Sequence, residues 1–136
     1  MKHAAALIAL VFALASCHES LEDRAAREAK EYTAKYCPTP FVNDTRTDSV
    51  AFDKASRAYI YYCTFRDTFD DPAVIARYRA QLHDALLQSI ARDTKTKAYK
   101  DAGFTFAYVC RSLKRPGLVL YHDRFTPKDY NATRPM

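Results

Sequence analysis

Apolar positions along the chain change period several times, and each change predicts an element. From about Glu19 to Tyr36, the residues Leu21, Ala25, Ala29, Tyr32 and Tyr36 recur at helical spacing with charges on the other face, which predicts an amphipathic helix. Acidic residues crowd its start, Lys30 and Lys35 lie near its end, and Cys37-Pro38 stops it. The stretch from about Thr45 to Phe52 reads as a strand, and Asp53-Lys54-Ala55-Ser56 as a turn. Arg57 to Phe65 has the aromatic and β-branched density of a second strand. Asp71 as N-cap and Pro72 at the first helical position open a helix running to about Arg92. Its predicted buried stripe is Ile75, Tyr78, Leu82, Leu86 and Ile90. Asp93 to Lys100 reads as a polar connector, followed by strands at Phe104 to Ser112 and Leu118 to Phe125 around an Arg115-Pro116-Gly117 turn. The polar tail begins at Thr126-Pro127 with one helical turn and frays from residue 131.

The order α-β-β-α-β-β predicts a single small α+β domain. It would hold a four-stranded, mostly antiparallel sheet with two helices packed on one face. The second and third strands would be parallel, joined by a helical crossover. The domain should occupy residues 21–130, with 131–136 as a frayed tail.

The first sixteen residues follow a different pattern. Lys2 and His3 give a positive start, Ala4 to Ala13 carries no charge, and Leu14-Ala15-Ser16-Cys17 follows. The apolar run has the length of a signal-peptide core and is too short to span a bilayer. Leu14-Ala15-Ser16-Cys17 resembles the lipobox of bacterial lipoproteins at all four positions. The resemblance covers residues 1–17 only, and no family motif is recognised in the mature domain. It implies that residues 1–16 are a cleaved signal, that Cys17 carries a diacylglycerol thioether and an acylated amine, and that residues 17–20 form a short tether. Acyl chains at roughly 0.8 kcal/mol per buried methylene would hold the protein at a membrane without a spanning helix. His18, where an Asp would favour inner-membrane retention in the enteric-type lipoprotein family, points to the outer membrane, with the domain facing the periplasm.

Composition then narrows the function. The 136 residues are 49% hydrophobic and 27% charged, with 10 Tyr, 8 Phe, no Trp and 2 Gly. Aromatic strands should therefore fill much of the core. A net charge of +5, one unit of it in the signal, is too mild for a nucleic-acid binder. In the predicted topology Lys54, Arg57, Arg92, Lys95, Lys97, Lys100, Arg124 and Lys128 fall toward the end nearest Cys17. That arrangement suggests a basic end facing anionic headgroups, with Lys54, Arg57, Lys95, Lys97 and Lys100 as its candidates. Cys37, Cys63 and Cys110 fall toward the opposite end, an odd number of thiols once Cys17 is lipidated. Shared strand parity favours a Cys63–Cys110 disulfide, with Cys37 to either as the alternative. Closing that loop would contribute roughly 3–4 kcal/mol in the chain-entropy description.

No catalytic signature emerges. His83-Asp84 and His122-Asp123 lack metal-ligand spacing, so no metal and no cofactor is expected. Asp70-Asp71 reads as helix capping, and there is no phosphate loop or nucleophile elbow. Tyr59, Tyr61, Tyr62, Tyr108 and Tyr121 are the candidates for a binding surface, since both faces of the second strand carry apolar groups. The expected function is a non-enzymatic envelope lipoprotein that binds another envelope protein as an accessory or assembly factor. Small α+β lipoproteins of this general design include pilotin-like factors of secretion machines, an analogy of size and anchoring. The alternative is an inhibitor or immunity lipoprotein against a toxic envelope-acting hydrolase. Adjacent secretion genes or an adjacent toxin gene would separate the two.

Overall fold

The computed structural model describes residues 18–133, so the expected signal segment, Cys17 and residues 134–136 lie outside the described residues. Ser20 caps α1 (Leu21–Tyr36) by accepting from the Asp23 amide at 3.1 Å. Strands β1 (Thr45–Asp53) and β2 (Ala58–Phe65) form an antiparallel hairpin. A 3-10 turn at Asp67–Phe69 leads to α2 (Pro72–Arg92), where the Asp71 carboxylate accepts from the Ala73 amide and Pro72 needs no amide partner. Then come α3 (Lys97–Asp101), β3 (Thr105–Ser112), β4 (Val119–Phe125) and α4 (Pro127–Thr133).

The sheet order is β1-β2-β3-β4. The β2–β3 pair is parallel and the two outer pairs are antiparallel. This is the α+β architecture expected from the element order, with four helices instead of two. Helix α3 is an addition, and α4 extends the single turn expected at Thr126-Pro127; both are short. Lys97–Asp101 is too brief for its apolar period to show, yet Tyr99 and Lys100 are buried. Residues 131–133 of the predicted frayed tail belong to α4, and just before them Tyr130 is fully buried, its hydroxyl donating to the Phe104 carbonyl at 2.8 Å. Burial of this one aromatic anchors a polar stretch that also packs on α2 and β4.

One face of the sheet carries the core. Val50, Tyr59, Phe106 and Phe125 join Ala25 and Ala29 of α1, Ile90 of α2, and Tyr99, Phe104 and Tyr130. Nearer the other end, Cys63, Phe65, Cys110 and Tyr121 pack with Ile75. Alanines on the buried side of α1 let its backbone approach β1 closely. Thr33 then stitches the two together: its hydroxyl donates to the Val50 carbonyl at 2.9 Å and accepts from the Val50 amide at 2.8 Å. Tyr32 and Tyr36, predicted for the buried stripe, are instead 41% and 52% exposed and touch each other. Tyr78 of α2 is likewise 40% exposed, lying against Phe69 at the margin of the helix interface. Ile60, Tyr62 and Val109 lie on the opposite sheet face, half-buried and outside both core clusters.

The edges of the sheet are managed. The Thr47 amide and carbonyl on β1 bond to Thr39, and a register shift at Asp48 breaks the ladder. On β4, Arg79 donates to the His122 carbonyl and the Arg124 amide donates to the Asp123 carboxylate.

A tyrosine-lined cleft as the candidate functional site

Helix α1 lies over β1, and α2 lies over β4 and against α4, so the strip of sheet between them is left to side chains. That strip is a ladder of rings. Phe104 stacks on Tyr99 at 5.4 Å, Tyr99 on Tyr59 at 5.9 Å, and Tyr61 on Tyr108 at 4.8 Å, with Tyr59 and Tyr61 tilted together at 5.4 Å. Ring faces in this ladder are thus largely taken up by neighbouring rings. Above the ladder, between α1 and the α2–α3 connection, lies a cleft of about 280 Å³. Val50, Tyr59 and Tyr61 line its floor, Glu28 and Tyr32 one wall, and Asp93, Lys95 and Thr96 the other.

The polar groups of the cleft differ in how far they are satisfied. The Tyr99 hydroxyl donates to the Glu28 carboxylate, which Arg24 also grips at 2.8 Å. Among the described residues the Tyr59 and Tyr61 hydroxyls make no hydrogen bond, and neither is sealed from solvent. Burial, reinforced by the Glu28 carboxylate, pushes Tyr59 up to about 12. Burial also raises Tyr61 and Tyr108 above the ordinary phenol range. The cleft therefore offers neutral hydroxyl donors and acceptors over an apolar floor, with two carboxylates and one ammonium at the rim. Such a surface suits a peptide segment carrying apolar side chains and unsatisfied polar groups.

The sequence-predicted binding residues separate in space. Tyr59 and Tyr61 line the cleft. Tyr108 lies beneath it against Tyr61, and Tyr121 is buried at 1% exposure, so neither forms an exposed surface. Tyr62 is the aromatic of β2 on the opposite face, under the Arg111 guanidinium at 5.9 Å. The expected second aromatic stripe is thus one tyrosine between Ile60 and Val109. Tyr32, Glu28 and Tyr99 were missed as cleft residues because they come from elements far apart in the chain.

The basic end is corrected too. Of the five candidates only Lys54 and Arg57 meet the start of α1, and most of the five are engaged. Lys54 pairs with Asp23, Arg57 with Glu22 at 3.3 Å, and Lys97 with Asp101 at 2.6 Å. Arg57 also lies over Phe104. Lys100 is buried at 4% exposure, and its ammonium donates to the carbonyls of Ile90, Ala91 and Asp93 at 2.7–3.1 Å. It closes the C-terminus of α2, where carbonyls lack helical partners and a cation is favoured. Lys95 remains exposed and belongs to the cleft wall.

The cysteines lie together at the far end, as expected, but Cys37, Cys63 and Cys110 are free thiols. The expected Cys63–Cys110 bridge is not formed: the two residues stand in register across parallel strands as free thiols. Among the described residues no group of three or more His, Cys, Asp and Glu side chains is placed to hold a metal. Asp70 does serve the fold: its carboxylate accepts from the Lys114 amide at 2.9 Å and steadies the β3–β4 turn.

One constellation escaped the sequence reading. His83 Nδ1 lies 2.7 Å from Asp123 Oδ2, which also accepts from the Tyr121 hydroxyl. Burial works against the Asp123 carboxylate, but hydrogen bonds from Tyr121 and His83 outweigh it and hold its pKa low. No Ser, Thr or Cys among the described residues bonds to His83, so no nucleophile completes this pair. It clamps α2 to β4.

Comparison with curated proteins finds none that matches. Among solved structures, the chain resembles PA3611, a candidate secreted protein of Pseudomonas aeruginosa, with a TM-score of 0.66 and 16% identity over 82% of this chain and 97% of that one. It also resembles EpsS, the pilotin of the Vibrio vulnificus type 2 secretion system, with a TM-score of 0.60 and 12% identity over 85% and 93% of the two chains. These likenesses establish a shared fold. A family model matches residues 20–121, from the cap of α1 into β4, and the chain belongs to that family, described as a domain of unknown function (DUF8479).

Proposed function

We propose that this protein is a lipoprotein of the bacterial cell envelope, attached through lipid on Cys17, facing the periplasm from the outer membrane. It binds a segment of another envelope protein in the cleft between α1 and α2, as an accessory or assembly factor without catalysis. The observation that carries the reading is the cleft itself: an apolar floor with two unbonded tyrosyl hydroxyls and a charged rim. The fold it shares with a pilotin supports the same reading at the level of architecture. No helix of the described residues is long and apolar enough to cross a membrane, so attachment is assigned to the lipid. With α1 starting at Leu21, only residues 18–20 separate Cys17 from the folded body, which keeps the domain near the bilayer.

Photocrosslinking amino acids at Tyr32 and Lys95, on opposite walls, test this against a control at Tyr62 on the other sheet face. The same envelope protein should be captured from both walls and not from Tyr62. Capture from Tyr62 with none from either wall would contradict the assignment. So would turnover of a cell-wall substrate by the purified protein.

A further inference from the structure

The three thiols lie at one end of the fold. Cys37 ends α1 and is half-buried, whereas Cys63 and Cys110 are 6% and 3% exposed. Two residues beyond Cys37, Thr39 bonds twice to Thr47, through its amide and its hydroxyl, each at 2.9 Å. Thr47 is the register partner of Cys63 on β2, and Cys63 that of Cys110 on β3. The backbone therefore steps from the α1 terminus to β1, β2 and β3 with a sulfur at three of the four stations. The Asp48 carboxylate bears on all three and favours their protonated forms. Within the inner pair, a hydrogen bond from the Cys110 thiol steadies a Cys63 thiolate, lowering Cys63 and raising Cys110.

We propose that Cys37, Cys63 and Cys110 form a thiol relay in which Cys37 takes a disulfide from an external donor and passes it inward to the Cys63–Cys110 pair. The donor is a small-molecule or protein disulfide. The Cys37 thiolate attacks one donor sulfur, forming a mixed disulfide and releasing one donor thiolate. The Cys63 thiolate then attacks Cys37 Sγ, forming Cys37–Cys63 and releasing the second donor thiolate. The Cys110 thiolate attacks Cys63 Sγ, leaving Cys63–Cys110 and returning Cys37 as a thiolate that takes up a proton. Two protein thiols are oxidised and one donor disulfide is reduced to two thiols. Entry at Cys37 follows from burial, since a bulky donor cannot reach sulfurs sealed beneath Ile75 and Tyr121 without local opening.

The test exposes the reduced mature lipoprotein, with its Cys17 sulfur acylated and the protein undenatured, to oxidised glutathione, quenches with an alkylating agent, and maps the products at Cys37, Cys63 and Cys110 by mass spectrometry. The wild type should end with a Cys63–Cys110 disulfide and alkylated Cys37. Cys37→Ser should reach the same product about tenfold more slowly or worse, because the inner thiols then meet the donor only through opening. Cys110→Ser should stop at Cys37–Cys63, and Cys63→Ser at glutathionylated Cys37. Should either buried variant fail to fold, the wild-type map and the Cys37→Ser rate decide alone, since Cys37 is at the helix terminus and outside the core clusters. Three alkylated thiols in the wild type after prolonged exposure, or an unchanged rate in Cys37→Ser, would overturn the relay.

Discussion

The ammonium of Lys100 sits among three main-chain oxygens with almost none of the residue exposed. Removing the charge while keeping the bulk strands those carbonyls, so Lys100→Met should cost about 2–3 kcal/mol in urea unfolding. A true surface lysine such as Lys95 should change stability by less than about 0.5 kcal/mol on the same substitution. The cleft tyrosines make a second residue-scale prediction. Tyr59 is pushed up to about 12, whereas an unfolded tyrosine titrates near 10. The folded state therefore holds that proton more tightly. The stability this gives is complete below about pH 10 and is lost as pH rises toward about 12. Urea midpoints should fall between about pH 10 and pH 12, and fall less steeply in Tyr59→Phe. None of this was legible in the residues alone: a lysine in a polar run and a tyrosine in a strand carry no mark of what folds over them.

The main helices and all four strands could be read because each is long enough to repeat its period. The Asp71-Pro72 start of α2 was recognised at the right residues because a cap and a proline act locally. Helix α3 could not be read and α4 only as a single turn, since each is shorter than two full periods and is held by contacts made elsewhere in the chain. The strongest of these is Tyr130, whose hydroxyl bonds to the Phe104 carbonyl while its ring meets Phe106 edge-on. Tyr130→Ala should cost about 3–5 kcal/mol by urea unfolding, and a tail that merely frayed would show almost no change. The clamp between α2 and β4 is testable in the same way. Asp123→Asn replaces a carboxylate that receives bonds from Tyr121 and His83, and should cost about 1–3 kcal/mol.

At the scale of the whole molecule, the sequence foretold which groups gather at which end but not how they are used. Helix direction and strand order sent the cysteines to one end and most lysines to the other. The acidic start of α1 then neutralises Lys54 and Arg57, which connects that end to the fold more than to headgroups. The cleft was half legible: Tyr59 and Tyr61 were singled out, but its walls come from α1 and from the connection after α2, which only the folded chain brings together. The proposed attachment is the lipid on Cys17. Cys17→Ser should move the protein from the membrane fraction to the soluble fraction while leaving its unfolding midpoint unchanged. The most direct measurement is mass spectrometry of the intact N-terminus of the protein taken from the cell envelope. The account predicts a chain beginning at Cys17, with a diacylglycerol thioether on its sulfur and an acyl group on its amine. A mature chain beginning elsewhere, with the Cys17 sulfur unmodified, would contradict it.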